Sequence, residues 1–305
     1  MPSEKNAGPL PKFPAEVKIP LFATTSKSAG SLNIPASLSF YYAAISSVWL
    51  WYEAPLETLR AYLDPLGMSP YNFGGKGAVN INFFNALAAY GIGEPGNLGT
   101  GGFNETELNI AAFATKVAEK VPQGLTLEQF LTSGDPTKRI GNYRVWVACD
   151  DPIAVAAGRQ VFMENKFLAP YTYNVPGANN PRPAPNQFTY DWTLHDPDKT
   201  AVTIYQASMN LTGLSPVLGN SSEIIDLSFD TESRRPVGSR RNYLGLFDTY
   251  LQPAVSKAVT LEYGKSKHPM RQDMERLIGK HRPVALQKYQ SPTCIAEAAG
   301  YYADL

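Results

Sequence analysis

Lys166 is the residue of this 305-residue chain whose surroundings are most suggestive of chemistry. It follows a helical run from Asp151 to Phe162, across the short break Met163-Glu164-Asn165, and its neighbours Phe162, Phe167, Leu168 and Tyr171 are apolar or aromatic. Apolar surroundings disfavour the charged form of an amine, and a neutral lysine amine is a nucleophile. Residue type argues the other way, because lysines are almost never fully buried and one beside an asparagine-containing loop is normally a solvated surface residue. Glu107 lies in a strand-like segment, where it is either a half-exposed strand end or a group that positions substrate and moves protons. Asn82 can hydrogen-bond a substrate oxygen. Arg159 either pairs with a carboxylate, caps a carbonyl or orients substrate. Phe162, Phe167 and Tyr171 are candidate walls of a pocket around Lys166, and Trp146 reads as core or pocket wall.

Other chemistries lack their residues. Two cysteines (Cys149 and Cys294) without CxxC spacing, and three scattered histidines (His195, His268 and His281), make a metal site unexpected. Gly74-Gly75-Lys76-Gly77 lacks the spacing of a phosphate-binding loop and reads as a turn. Lys plus Arg equals Asp plus Glu at 27 each, so no field draws nucleic acid or an anionic membrane. Arg234-Arg235 with Arg240-Arg241 then reads as a solvated loop or a subunit contact. No apolar run has the roughly 18 residues a membrane helix needs. The first 20 residues carry five prolines and no apolar run, so residues 1–22 read as an extended arm rather than a signal peptide. A cytoplasmic location is the expectation, and the sequons at Asn104, Asn210 and Asn220 carry little weight.

The elements that would position these residues are mostly strands. Val48 to Tyr52 is a continuous apolar and aromatic run, and Val79 to Phe83 alternates apolar with polar residues. Glu107 to Phe113 and Tyr143 to Cys149 are further strands. Residues 117–142 read as an insertion with one short helix, capped by Thr126. Asp151 is a good N-cap with Pro152 at N1, and they open the most regular helix pattern of the chain. Lys166 to Tyr171 reads as an edge strand because of Pro170. Residues 174–185, rich in Pro, Gly and Asn, read as a loop or lid. Strands are expected over 187–195, 201–211, 223–229 and 284–289, and helices over 56–63, 243–258 (with a break at Pro253) and 270–278. Many strands with peripheral helices indicate a mainly β (α+β) domain over 23–305, with a curved or closed antiparallel sheet.

The segment from Asp150 to Lys166, with Ala154-Val155-Ala156-Ala157-Gly158-Arg159, an aromatic, a short loop and a lysine, resembles the signature of the acetoacetate decarboxylases. Trp51-Tyr52-Glu53-Ala54-Pro55 and Gly102-Phe103-Asn104-Glu105-Thr106-Glu107 resemble two further family segments. The resemblance implies a β-cone or barrel fold, no cofactor, a homo-oligomer, and Lys166 as an imine-forming lysine acting on a keto acid or ketone. It also implies Glu107 as the carboxylate facing that lysine. The departures are informative. Phe167 stands where decarboxylases carry a second lysine, Asn82 where they carry a glutamate, and Ile45-Ser46-Ser47 where an arginine is expected. Fewer charges in the pocket imply aldolase, dehydratase or hydratase chemistry rather than acetoacetate decarboxylation. A non-catalytic binding protein, and an enzyme using Glu107 as a base without an imine, are the alternatives.

Overall fold

Three long strands, Phe40–Ala54, Gly77–Tyr90 and Leu98–Ala114, form the centre of the molecule in a computed structural model. It describes residues 16–20, 31–35, 40–90, 98–176, 188–219, 223–243, 246–291, 295–297 and 301–304. These strands are longer than the apolar runs that mark them, because both of their faces are buried. Val48, Leu50 and Tyr52 enter one core cluster while Trp49 and Trp51 enter the other, and Phe83 and Phe84 divide in the same way. A strand covered on both sides carries a continuous apolar run instead of alternation.

Among the described residues the main sheet has 13 strands and is mixed, not purely antiparallel. Gly141–Cys149 pairs in parallel with both Glu223–Asp230 and Lys166–Leu168. The wall runs from Phe40–Ala54 through Gly77–Tyr90, Leu98–Ala114, Gly141–Cys149, Glu223–Asp230 and Arg235–Asn242. Ile295–Glu297 touches both Arg235–Asn242 and Phe40–Ala54, through short ladders of two and three residue pairs. The result is a sheet drawn round on itself, not the uniformly laddered barrel that is one expectation from the sequence.

A second, antiparallel sheet of Val259–Tyr263, Thr203–Asn210, Thr189–His195 and Tyr171–Asn174 packs on the outer face. Phe83 joins the two layers, stacked on Trp192 at 5.4 Å and edge-on to Tyr205 at 5.5 Å. The helices Leu56–Leu63, Leu127–Ser133, Pro152–Val161 and Pro269–Leu277 form where their caps and apolar stripes place them. Thr126 makes a full capping box with Gln129. The expected helix over 243–258 is instead the strand Phe247–Leu251 and a short helix Val255–Ala258, because Tyr250 and Phe247 are claimed by sheet and core contacts. Glu16–Pro20, within the expected arm, pairs with Ser31–Pro35. Most of the expected lid (177–185) lies outside the described residues, as do residues 1–15. Among the described residues, no helix is long and apolar enough to cross a membrane.

Phe83→Ala is expected to lower stability by about 3–5 kcal/mol, the usual cost of emptying a large buried aromatic site. A urea titration should show this as a lower midpoint with an unchanged slope.

Candidate active site

One row of residues crosses the main sheet in register: Trp49 opposite Asn82, Asn82 opposite Glu107, Glu107 opposite Val147, and Val147 opposite Lys166. Lys166 and Glu107 are therefore two strands apart, roughly 10 Å at about 4.8 Å per strand. The lysine is set in that row by the helix before it. Asp151 Oδ1 accepts the Ala154 amide at 2.8 Å and starts Pro152–Val161. The helix ends at Phe162, Met163 takes a left-handed conformation (φ 56°), and the Glu164 amide returns to the Gly158 carbonyl at 3.0 Å. Asn165 docks this turn on the next strand, its side chain donating to the Val145 carbonyl at 2.9 Å. Arg159 Nε donates to the Lys166 carbonyl at 2.5 Å. A Cβ on Gly158 would overlap Glu164 Oε2 and the Lys166 Cδ, so glycine is what lets both side chains lie against the helix.

The Lys166 ammonium is buried and meets two carboxylates, Glu105 at 2.5 Å and Glu164 at 3.3 Å. Behind them lies a network of buried charges. Arg144 pairs with Glu164, with Asp226 at 2.6 Å and with Glu107 at 3.2 Å. Arg241 pairs with Asp226 at 3.0 Å and with Glu107 at 3.2 Å. Glu107 also accepts from Asn82 at 3.1 Å and Asn109 at 3.2 Å, and Asn82 accepts from Ser47 at 2.8 Å. Charges this deep persist only when paired and hydrogen-bonded. The two glutamates of one strand differ in consequence. For Glu107, burial works to raise the pKa, but Arg144 and Arg241 outweigh it and hold the carboxyl at about 2. For Glu105, burial is the largest influence and the nearby Glu107 charge adds to it, so its pKa is raised despite Lys166.

The structure thus brings Lys166 and Phe162 into one chamber, with Tyr42, Phe103, Ala154, Glu105, Glu164, Arg144 and Arg241. The chamber is about 10 Å³, room for roughly one water molecule, so a larger substrate requires its walls to move. Glu107 joins it through the arginines, and Asn82 through Glu107. The carboxylate of Leu98–Ala114 in contact with Lys166 is Glu105, two residues earlier than the one the resemblance implies. Arg159 is exposed and acts on the Lys166 backbone. Phe167 and Tyr171 go to the opposite face. Phe167 stacks on His268 at 4.2 Å, and the Tyr171 hydroxyl donates to the Ala148 carbonyl at 3.0 Å. Strand alternation requires this of Phe167, since neighbours in a strand point to opposite faces.

Sequence reasoning misses Glu105, Arg144, Glu164, Asp226 and Arg241. Arg241 is not in a solvated loop. It is buried in the strand Arg235–Asn242, with Arg240 turned to solvent. Arg144 and Arg241 supply positive charge from two strands that had not been linked to the pocket, so the chamber is not poor in charge as the departures from the family pattern imply. The available signal is a charged residue at an inward position of an otherwise buried strand, as at Arg144 in Gly141–Cys149.

No protein-family model matches the chain, and no curated protein matches it in sequence. Solved structures do match. The enduracididine biosynthesis enzyme MppR, complexed with the condensation product of pyruvate and imidazole 4-carboxaldehyde, has a TM-score of 0.58 at 14% identity, over 96% of this chain and 99% of that one. Acetoacetate decarboxylase from Legionella pneumophila has 0.53 at 12% identity, over 92% of each chain. An acetoacetate decarboxylase-like enzyme from Sphingomonas wittichii RW1 has 0.51 at 12%, over 92% of this chain and 96% of that one. The chain has the acetoacetate decarboxylase-like fold. In this chain the fold carries the lysine on a helix–turn–strand unit and surrounds it with charged residues from four other strands.

Two outcomes test this geometry. Glu107→Gln should cost about 3–5 kcal/mol, the usual penalty for breaking a buried ion pair. Glu107 has a folded pKa of about 2 against an ordinary 4.5, so its contribution is complete above pH 4.5 and is lost as pH falls toward 2. Urea titrations over that range should show an acid-dependent fall that is reduced in the variant. Gly158→Ala should keep the fold while displacing Lys166 and Glu164. A circular dichroism spectrum should be unchanged while labelling of Lys166 by an amine-reactive probe changes.

Proposed function

We propose that the chain is a lyase in which Lys166 condenses with a keto acid or ketone. The carrying observation is the buried amine of Lys166 set 2.5 Å from Glu105, a carboxyl whose pKa is raised. Condensation of an ammonium with a carbonyl yields a protonated imine and one water, so two protons pass from nitrogen to the departing oxygen. Glu105 accepts a proton from the Lys166 nitrogen, which frees its electron pair to attack the carbonyl carbon. The same carboxyl returns that proton to the alkoxide formed, then takes a second proton from the carbinolamine nitrogen and passes it to the hydroxyl, which leaves as water while the nitrogen electron pair closes the protonated imine. Burial raises the pKa of Glu105 above the ordinary carboxylate range, which makes it a better proton acceptor than an ordinary carboxylate.

The protonated imine is an electron sink for the adjacent carbon. Loss of an α-proton gives an enamine, which adds to an aldehyde with formation of a carbon–carbon bond and, after loss of a second water, an unsaturated product. The reverse cleavage and a decarboxylation use the same intermediate. The buried cluster holds four carboxylates (Glu105, Glu107, Glu164 and Asp226) against three cations (Lys166, Arg144 and Arg241). MppR, whose structure holds a condensation product of pyruvate, supports the aldol-type reading. Glu107 as a lone base is disfavoured, because a carboxylate with a pKa of about 2 is a weak proton acceptor at neutral pH.

Borohydride reduction in the presence of pyruvate, acetoacetate and larger keto acids should leave a reduced adduct on the Lys166 peptide, read by mass spectrometry. Lys166→Ala should carry none. No adduct with any keto compound, while a control decarboxylase is labelled, would overturn the lyase reading in favour of a binding protein.

A further inference from the structure

Glu164 lies in the short loop before Lys166, and its placement is unusual. It is buried, its Oε1 is held by Arg144, and its Oε2 lies 3.3 Å from the Lys166 nitrogen. Three features of the chain serve this placement. Met163 turns the backbone left-handed, at a residue type that finds that conformation costly, and so aims Glu164 inward. Gly158 leaves out the Cβ that would overlap Glu164 Oε2. Ser228 Oγ donates to the Phe162 carbonyl and ties the turn to Glu223–Asp230. Arg144 and Glu164 also line a surface cavity of about 410 Å³ with Arg159, Asn165 and Ser228, so the pair is the partition between the Lys166 chamber and that cavity.

We propose that Glu164, clamped by Arg144, is the fixed counter-ion of the Lys166 imine, while Glu105 alone carries the protons. The inference rests on the imine reading. Two carboxylates face one nitrogen, and they are held differently. Glu105 meets the Lys166 nitrogen directly at 2.5 Å, whereas the Arg144 guanidinium clamps the far oxygen of Glu164, an arrangement that favours the charged form of that carboxylate. A positive imine in a buried chamber needs a charge that stays in place through the reaction. The groups facing this pair are Lys166 and Arg159 on its own segment, Glu105 and Glu107 from Leu98–Ala114, Arg144 from Gly141–Cys149, Asp226 from Glu223–Asp230, and Arg241 from Arg235–Asn242.

The test is the rate of borohydride trapping with pyruvate as a function of pH, in wild type and in Glu164→Gln. Glutamine keeps the shape of the partition, and Arg144 retains its pairs with Asp226 and Glu107. Removal of the counter-ion should slow trapping about tenfold and move its pH profile about one unit lower, as expected when an opposite charge within a few ångströms is lost. Glu164→Asp, which keeps the charge, should retain the wild-type profile and is the second readout if the glutamine variant is unstable. A trapped wild type whose glutamine variant keeps both rate and profile overturns this inference and leaves the imine reading standing. An Asp variant shifted as far as the Gln variant does the same. Absence of trapping in wild type overturns both.

Discussion

The guanidinium of Arg144 joins three carboxylates from three separate parts of the chain: Glu107 in one neighbouring strand, Asp226 in the other, and Glu164 in the turn before Lys166. Without it the interior would hold several uncompensated negative charges, each costing several kcal/mol to bury. With it, the parallel junction between Gly141–Cys149 and Glu223–Asp230, which spans only two residue pairs, has a side-chain tie across it. The lysine turn is fixed to the same point. The candidate site and this strand junction depend on one planar, multiply donating group, a geometry a lysine cannot replace.

That network sorts the two glutamates of Leu98–Ala114. Both lie on the inward face, two residues apart, and both are fully enclosed. Glu107 has two arginines and two amides and is fixed as an anion. Glu105 has the lysine and the repulsion of Glu107, and its pKa is raised. A pair of like groups whose environments push them apart is how one site obtains both a fixed charge and a mobile proton. The apolar part of the chamber, Phe162, Phe103 and Tyr42, keeps water from weakening these interactions.

Much of the architecture was legible. The caps at Asp151 and Thr126, the Pro152 start and the strands around Trp49, Phe83 and Trp146 follow from local residue chemistry, and the structure has them. The segment after Tyr243 shows the limit. Its apolar content suits a helix as well as a strand, and pairing of Phe247–Leu251 with Ala285–Ser291 decides for the strand. Phe167 and Tyr171 are adjacent in sequence to Lys166 and suggest a pocket wall, yet strand alternation and the second sheet place them on the far side.

The elements, the burial of their apolar faces and the helix–turn–lysine unit follow from local residue types, because caps, glycine at position 158 and apolar periodicity act within a few residues. Which charges meet is a matter of how the strands assemble. Lys166 finds Glu105 rather than Glu107, and Arg241 comes from a strand more than seventy residues away, because strand register and the curvature of the sheet set those distances. An ion pair depends on separations of a few ångströms between residues far apart in the chain, and no local pattern of residue types encodes them.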